Sequence, residues 1–188
     1  MNIPKLILAS ASPRRSELLR KLGVDFHVVT GQVDEVAGEH LSPHEIVRNN
    51  AYRKARAVSK KYADYLVIGA DTTVCLGHRS FGKPADLADA ERMLEQLQGK
   101  THEVVTAICL VRLREHRQKV FAESTSVKFR PINGEVIRQY LSVIDPLDKA
   151  GAYAIQEKAE MIVEEYSGSF SNVVGLPLER LQVELEAW

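Results

Sequence analysis

Residues 5–23 have the sequence KLILASASPRRSELLRKLG, which joins a short apolar run to the start of a helix. The apolar run, 6–8, predicts a buried strand, and small residues follow it. Ser12 then suits the N-cap of a helix and Pro13 its first position, while leucines at helical spacing supply an apolar face. Gly23 predicts a left-handed end to that helix. The chain therefore opens with a strand, a small-residue turn and a helix.

Two arginines in the first turn of this helix, Arg14 and Arg15, are unusual there. The N-terminus of a helix already carries partial positive charge, so the two cations oppose the helix dipole. An anion over the turn, held by backbone N–H groups, serine hydroxyls and the guanidinium groups, explains them. The structural alternative is that both side chains point into water. We favour a phosphate site because a strand and small residues precede the helix.

The composition limits the classes of protein to which the chain can belong. At 188 residues and 45% hydrophobic, the chain can bury one core or two closely joined lobes. Its 25 basic residues balance 25 acidic ones, so no global field attracts nucleic acid or a membrane surface. Cys75 and Cys109 predict reduced core thiols, since a disulfide framework or a zinc site needs more cysteines. With no signal peptide or membrane span predicted, we expect a cytoplasmic protein.

The remaining elements mix helices with short and long strands. Predicted helices cover 42–61, 86–98, 133–143 and 178–187, the first of them after a polar loop and a capping box at Ser42 and Glu45. Predicted strands cover 26–30, 65–70, 103–113, 119–130 and 161–163, with a small hairpin at 74–81 and a polar loop at 167–171. We therefore expect an α/β fold with a mixed twisted sheet flanked by helices, and two lobes around a cleft.

Two charged residues adjoin predicted buried surfaces. Asp71 directly follows the strand 65–70, where it acts either as a turn and cap residue or as a catalytic group. Ligands of open α/β sheets bind at such strand ends, which favours the catalytic interpretation. Lys54 lies at the edge of the apolar stripe of helix 42–61, where most lysines simply extend their ammonium group into water. All six histidines, His102 included, are expected on the surface because none shows metal-ligand spacing.

The residues that could bind a ligand or catalyse a reaction are of the types that a polyphosphate site requires. The phosphate-type donors are Ser10, Ser12, Arg14, Arg15, Lys54 and Lys83, and the candidate carboxylates are Asp71, Glu35, Asp34, Asp145 and Asp148. Hydrolysis of a polyphosphate requires carboxylates that hold a divalent cation and activate water, beside cations that neutralise phosphoryl charge. The sequence lacks the P-loop, the dinucleotide fingerprint, the G-x-S-x-G elbow and the H-E-x-x-H motif. Polyphosphate cleavage is therefore our first hypothesis.

Seven short motifs, taken together and in order, resemble the Maf family. They are S-x-S-P-R-R at 10–15, V-D-E at 33–35, A-x-x-K-A at 51–55, G-A-D-T at 69–72, G-K-P at 82–84, D-K-A-G-A-Y-x-I-Q at 148–156 and N-V-V-G-L-P at 172–177. The resemblance covers the chain from end to end, as a single Maf-like domain at 1–188. It implies a nucleoside triphosphate pyrophosphatase, of a family once described as septum-formation inhibitors. The implied fold is similar to that of the inosine triphosphate pyrophosphatases.

The resemblance also implies roles for individual residues. Asp71 matches the catalytic aspartate, which acts as a general base or as a metal-linked acidic residue, and Glu35 lies beside it as a second metal candidate. The implied cofactor is a divalent cation, Mg²⁺ or Mn²⁺. The positions that match residues around the triphosphate are Ser10, Arg15, Lys54 and Lys83.

Three further positions, Arg14, Thr72 and Gln156, resemble the branch of the family that acts on dTTP and UTP. The branch that acts on 7-methyl-GTP carries other residue types, including a bulky aromatic residue in place of Arg14. The Gln156 amide offers both a donor and an acceptor, which match the N3–H and carbonyl edge of a pyrimidine. The implied reaction converts dTTP or UTP, or modified pyrimidine nucleotides, to the monophosphate and pyrophosphate, as housecleaning of nucleotide pools.

A nucleotide-binding regulator of septum formation with little catalysis is the alternative function, and a monophosphatase is a third. The family's older description connects it to cell-division arrest. Neutral net charge and the lack of a basic stripe count against DNA binding, so the expected partner is the nucleotide, without nucleic acid or membrane. A homodimer would be ordinary for the family.

Overall fold

The computed structural model describes residues 5–36 and 40–188, so part of the loop predicted before Ser42 lies outside it. The strands are β1 (Leu6–Ala9), β2 (Phe26–Val28), β3 (Leu66–Leu76), β4 (Arg79–Phe81), β5 (Thr101–Arg112), β6 (Arg117–Phe129) and β7 (Val163–Ser167). The helices are α1 (Pro13–Arg20), α2 (Pro43–Ser59), α3 (Leu87–Leu97), α4 (Gly134–Val143), α5 (Phe170–Val174) and α6 (Leu178–Glu186).

All seven strands belong to one mixed sheet, in the order β2-β1-β3-β5-β6-β7, with β4 paired to β3. Strand β1 pairs in parallel with β2 and β3, and the pairs among β3, β5, β6 and β7 are antiparallel. Strands β3, β5 and β6 have 11, 12 and 13 residues, twice the usual length, so they extend beyond a single helical layer. The predicted fold class, a mixed α/β sheet flanked by helices, is confirmed.

Helices cover both faces of the sheet and create two lobes. On one face, α2 buries the predicted stripe of Val47, Ala51, Ala55 and Val58. On the other face, α1, α5 and α6 form an apolar cluster over β1 and the first half of β3. Helices α3 and α4 form a second cluster over β4 and the far ends of β3, β5 and β6. The long strands therefore connect the two clusters, as the sequence predicts.

The first two helices begin where the sequence predicts, although they are stabilised differently. Helix α2 has the predicted capping box, in which the Ser42 hydroxyl accepts from the backbone N–H of Glu45 and the Glu45 carboxylate accepts from that of Ser42. Ser12 precedes α1 without a side-chain capping bond. Helix α1 ends at Arg20, and Gly23 adopts its positive φ of 67° three residues later, so this helix is shorter than predicted.

Two predicted boundaries near the end of the chain are wrong. The segment predicted as the strand 161–163 contains the end of a 3₁₀ turn, Ala159–Met161, and the strand itself begins at Val163. The predicted polar loop 167–171 contains the start of α5, because the Ser169 hydroxyl accepts from the N–H of Asn172 and caps this short helix.

His102 corrects the prediction that every histidine is exposed. Its exposed fraction is 2%, because the alternation of β5 places it with Val104 on the face that packs under α3 and α4. The imidazole stacks edge-on against Phe129, and its Nε2 lies 2.9 Å from the hydroxyl of Tyr153. Burial lowers the pKa of His102 to about 4, so the ring is neutral at physiological pH.

Cys75 and Cys109 are free and buried, as predicted. Burial raises the pKa of Cys75 to about 11 and that of Cys109 to about 12, so both remain protonated thiols. Among residues 5–36 and 40–188, no helix combines the length and the apolar composition that crossing a bilayer requires.

Candidate active site

The site lies at a gap along one edge of β3. On this edge, β3 pairs with β1 as far as Gly69, and with β4 from Val74 onwards. Residues 70–73 lie between these two partners, where β1 has already ended at Ala9. The opposite edge of β3 stays paired with β5 from Val67 to Cys75, which keeps the strand extended through the gap. A cleft of about 1240 Å³ opens here.

Asp71 therefore lies in the middle of a strand, which corrects its predicted position at a strand exit. Strand β3 continues because Asp71 itself pairs with Ala107 of β5. The carboxylate still faces the cleft, since the neighbouring strand β1 ends two residues earlier in the register. The sequence pattern, a carboxylate after an apolar run, thus leads to a residue that faces the cleft. The cause is the end of β1 and not the end of β3.

Close packing of α2 against β3 brings the charged residues together. A Cβ added to Gly69 would lie 2.3 Å from the carbonyl oxygen of Ala51 and 2.7 Å from the backbone nitrogen of Ala55, so only glycine permits this approach. Asn50 and Lys54, four residues apart on α2, consequently share the face that lies over Asp71.

The Lys54 ammonium group forms ion pairs with both candidate carboxylates, those of Asp71 and Glu35. The Nζ of Lys54 lies 2.6 Å from Oδ1 of Asp71 and 2.6 Å from Oε1 of Glu35. Burial opposes ionisation of Glu35, but the hydrogen bond and charge of Lys54, supported by Lys83, hold the pKa of Glu35 below its ordinary value. Lys54 thus points into the site and not into open water.

Asn50 supports this cluster from behind. Its exposed fraction is 3%, and its Nδ2 lies 3.2 Å from Oδ2 of Asp71. The same amide accepts from the N–H of Val36 at 2.7 Å and donates to the Val36 carbonyl at 3.2 Å. Asn50 therefore connects the loop that carries Glu35 to the strand that carries Asp71.

Arg15 connects three parts of the chain at the base of the cleft. Its guanidinium donates to the Gly175 carbonyl at 2.8 Å, the Ala70 carbonyl at 3.0 Å, the Ser10 hydroxyl at 3.2 Å and the Thr72 hydroxyl at 2.9 Å. Burial lowers the pKa of Arg15, although the nearby charge of Asp71 opposes the effect. These bonds use four of the five guanidinium N–H groups.

Arg14 lines the cleft and is bound by Asp148, which belongs to a loop of the second lobe. Its Nη1 is 2.5 Å from Oδ2 of Asp148 and its Nη2 is 3.1 Å from the Asp148 carbonyl. The Nζ of Lys149, which is 5% exposed, lies 2.8 Å from Oδ1 of Asp148, 2.6 Å from the carbonyl of Asp145 and 3.6 Å from Glu157. Burial opposes ionisation of Asp148, but Lys149 and Arg14 hold its pKa below the ordinary value.

The structure brings most of the predicted site residues to one cavity. Its lining includes Ser10, Ser12, Arg14, Arg15, Glu35, Lys54, Asp71, Thr72, Lys83, Asp148 and Gln156. Lys83 and Gln156 are exposed within it, and Ser10 is buried. The other carboxylate candidates, Asp34 and Asp145, do not line the cavity. Asp145 instead accepts from the N–H of Leu147 and stabilises its own turn.

Three residues of the site escaped the sequence analysis. Asn50 carried a usable signal, since it lies four residues before Lys54 on the same helix face. Lys149 lies inside the D-K-A-G motif, but a lysine beside an aspartate does not indicate burial. Thr106, which lies opposite Thr72 in β5, looks like any other strand threonine. In the part of the chain that the structure describes, no group of three or more His, Cys, Asp or Glu side chains forms a metal cluster.

The fold and the cleft define a two-lobed α/β protein in which carboxylates and cations face one cavity. A solved structure with this fold is the Ham1 protein of Staphylococcus aureus. It aligns with a TM-score of 0.56 and 17% sequence identity, over 97% of this chain and 98% of that chain. At this identity the likeness concerns the fold alone, and it agrees with the predicted fold.

The family of the chain follows from its sequence relatives. The model of the Maf-like protein family matches residues 5–188, and the chain belongs to this family. A dTTP/UTP pyrophosphatase of Acetivibrio thermocellus is 47% identical, over 94% of this chain and 92% of that protein. A dTTP/UTP pyrophosphatase of Symbiobacterium thermophilum is 49% identical, over 94% and 90%, and one of Bacillus cereus is 44% identical, over 98% and 90%. The resemblance seen in the seven motifs is thereby confirmed.

Proposed function

We propose that this protein is a nucleoside triphosphate pyrophosphatase that hydrolyses dTTP and UTP, with modified pyrimidine nucleotides as further substrates. The observation that carries the proposal is the Asp71 carboxylate, which faces a cleft of about 1240 Å³ beside Lys54 and Arg15. The relatives' substrates support the choice of pyrimidine nucleotides. The products are the nucleoside monophosphate and pyrophosphate, and the role is housecleaning of nucleotide pools.

Asp71 acts as the general base in this proposal. Its carboxylate accepts a proton from water, whose oxygen forms a bond to the α-phosphorus while the α–β bridging bond breaks and its oxygen leaves with pyrophosphate. Asn50 and Lys54 hold the two carboxylate oxygens at 3.2 and 2.6 Å, so the group is oriented before substrate binds. Preorganised groups of this kind require little rearrangement during the reaction.

The cations around Asp71 are proposed to bind the triphosphate. Lys54 and Lys83 neutralise its charge, and Arg15 adds a positive charge from the base of the cleft. The Ser10 hydroxyl accepts hydrogen bonds from the Ser12 N–H at 3.2 Å and from Arg15, which leaves its own proton for a phosphate oxygen. This assignment does not need the anion expected over the first turn of α1, because the Arg15 side chain contacts β3 and the end of α5.

The carboxylates of Glu35 and Asp71 fit the chemistry of a divalent cation, Mg²⁺ or Mn²⁺, and would hold it. The fit rests on the shared contact of both carboxylates with the Lys54 ammonium, because this shows that they are arranged around one positive charge. Oxygen ligands of this type are the ones that both ions prefer. When bound, the cation would neutralise charge on the triphosphate.

Arg14, Thr72 and Gln156 are proposed to select the pyrimidine. All three line the cleft, and Gln156 is exposed within it, so its amide can meet the N3–H and carbonyl edge of the base. Arg14 is oriented by Asp148, which belongs to the same loop as Gln156. The loop thereby links two of the three selecting positions.

Three wider statements accompany this proposal. We propose one Maf-like domain over 1–188, a cytoplasmic location and a homodimer without nucleic-acid partners. Protonated, unpaired thiols at Cys75 and Cys109 suit a reducing compartment, and the balanced charge offers no field for nucleic acid. Sedimentation at several protein concentrations tests the homodimer directly.

The proposal is tested by a product assay on the purified protein with Mg²⁺ or Mn²⁺. The substrates are dTTP, UTP, CTP, GTP, ATP and 7-methyl-GTP, and pyrophosphate and orthophosphate are measured separately. We expect pyrophosphate from dTTP and UTP, and roughly a thousandfold less from the Asp71→Asn variant, which controls for contaminating enzymes. Turnover of 7-methyl-GTP alone would keep the reaction and contradict the assigned substrates. No turnover of any nucleotide would contradict the proposed function.

A further inference from the structure

The hydroxyl of Thr72 contacts two other side chains of the protein. Its Oγ1 accepts a hydrogen bond from Nη2 of Arg15 at 2.9 Å and lies 3.0 Å from Oγ1 of Thr106. Thr72 and Thr106 face each other as paired residues of β3 and β5, so this contact is built into the register of the sheet.

Counting protons fixes the direction of the bond between the two threonines. The Thr106 hydroxyl has one proton, which it donates to the carbonyl of Asn172 at 3.0 Å. In the contact between the two hydroxyls, Thr72 must therefore be the donor. The hydroxyl of Thr72 accepts from Arg15 and donates to Thr106, which leaves it no proton for a carbonyl of a nucleobase and uses one of its two lone pairs.

The far end of this chain of hydrogen bonds is fully buried. Thr106 and Asn172 both have an exposed fraction of 0%. The Asn172 amide donates to the Val104 carbonyl and to the Thr125 hydroxyl, each at 2.9 Å. Because Thr106 is fully buried, it cannot touch a substrate, and any effect that it has on the reaction must pass through Thr72.

The near end of this chain of hydrogen bonds is the Arg15 guanidinium, which also contacts Gly175 of α5's C-terminal end. Gly175 accepts from its Nε at 2.8 Å. A Cβ on Gly175, whose φ is +117°, would lie 3.4 Å from the Thr72 hydroxyl and 3.5 Å from Nε of Arg15. A position with φ in this region favours glycine, which has no Cβ. The backbone at Gly175 therefore lies next to the contact between Thr72 and Arg15.

We propose that Thr72 influences substrate choice by holding Arg15, and not by contacting the base, with Thr106 as a buried positioning residue. Arg15 lies in the first turn of α1 and directly follows Arg14, so its position influences how that turn presents Arg14 to the cleft. This inference deepens the proposed function and rests on its assignment of pyrimidine triphosphates as substrates.

The test compares variants that delete a hydroxyl with variants that keep it. The ratio of kcat/KM for dTTP to that for CTP is measured for Thr106→Val, Thr106→Ser, Thr72→Val and Thr72→Ser. Thr72→Val removes a hydrogen bond to the charged Arg15, and Thr106→Val removes the acceptor that orients the Thr72 hydroxyl towards that bond, so we expect a ratio roughly tenfold lower in both valine variants. Both serine variants should retain the wild-type ratio, and the double valine variant should be no worse than either single one.

Ser59→Ala is the matched control, since Ser59 is also fully buried and donates to a backbone carbonyl, that of Arg56, at the far end of α2. Its ratio should equal that of the wild type, while thermal unfolding reports its loss of stability. If Thr106→Val does not fold, Thr106→Cys replaces it, because the thiol preserves volume and hydrogen-bonds only weakly.

A changed ratio in Thr72→Val together with an unchanged ratio in Thr106→Val would overturn the inference, because it would show that Thr72 meets the base directly. Binding of dTTP and CTP analogues with an α,β-methylene bridge yields the same ratio without turnover. A wild type that binds these analogues but hydrolyses nothing would contradict the proposed function, while the binding ratios of the variants would still decide this inference.

Discussion

Asp71 and Thr72 are neighbours in β3, yet their side chains point to opposite faces of the sheet. Asp71 contacts Lys54 on α2, whereas Thr72 contacts Arg15 on the face covered by α1 and α5. Alternation along a strand separates the two groups, and the gap between β1 and β4 opens both to the same cleft. The residue proposed for proton transfer and a residue proposed for selectivity are thus held by independent supports.

The proposed base leads to the first prediction. Asp71→Asn keeps the volume but removes the proton acceptor, so turnover of dTTP should fall by roughly a thousandfold. Binding of dTTP, measured by calorimetry, should persist because the surrounding cations remain. Asp64→Asn removes an exposed carboxylate paired with Arg114 and should leave turnover unchanged. Retained turnover in Asp71→Asn would remove Asp71 from the mechanism.

Lys54 determines the ionisation of Glu35 and therefore the pH dependence. Lys54→Met removes the hydrogen bond and charge that lower the pKa of Glu35, so this pKa rises and the acidic limb of kcat/KM moves to higher pH. The maximum of kcat/KM should also fall, roughly a hundredfold. Lys61→Met, in the exposed turn after α2, should change neither quantity. An acidic limb that stays in place would show that Glu35 does not govern it.

Gly69 sets the distance between α2 and β3. Gly69→Ala would press a methyl group against the backbone of Ala51 at 2.3 Å, which backbone atoms cannot relieve by rotation. We expect the free energy of unfolding to fall by roughly 3 kcal/mol, and turnover to fall because α2 carries Lys54 and Asn50. In Gly82→Ala the added Cβ meets nothing within 4 Å, so urea unfolding should match the wild type. Equal stability of the two variants would contradict this account.

His102 predicts a specific loss of stability in acid. Its pKa is about 4 when folded and near 6.5 when unfolded, so the unfolded chain binds the extra proton first. Stability from this group is complete above pH 6.5 and is lost as pH falls towards 4, by about 2 kcal/mol between pH 7.5 and 5. His102→Gln removes the titration, and its unfolding free energy should vary less over this range. Identical pH slopes in urea unfolding would refute the assignment to His102.

The sequence predicts the fold best where local signals and tertiary packing agree. The capping box at Ser42, the helical stripe of α2 and the apolar run of β1 appear where expected. Asp71 shows the limit, because the length of β3 depends on its pairing with β5, and no local signal near Asp71 encodes that partner. His102 is a similar case, since its burial depends on packing against α3, which precedes it, and α4, which begins 32 residues after it, and no local signal encodes either contact.

The same division applies to the candidate site. Charged residues such as Lys54 and Lys83 are phosphate-type donors that lie in motifs resembling the Maf family, and this resemblance indicates their place around the triphosphate. Asn50 and Thr106 were missed because their contacts are with partners far away in sequence, Asp71 and Asn172. Lys149 was missed because its burial, and not its partner, distinguishes it, since Asp148 is its neighbour in the chain. A sequence reveals the groups that face a ligand more readily than the groups that hold them in place.

The most direct test of the central claim is hydrolysis of dTTP in ¹⁸O-labelled water, with both products analysed by mass spectrometry. Attack of water on the α-phosphorus predicts one labelled oxygen in the thymidine monophosphate and none in the pyrophosphate. Label in pyrophosphate would place the attack on the β-phosphorus, and release of labelled orthophosphate would indicate a phosphatase that removes the terminal phosphate. Either of these results would contradict the proposed cleavage of the α–β bond beside Asp71.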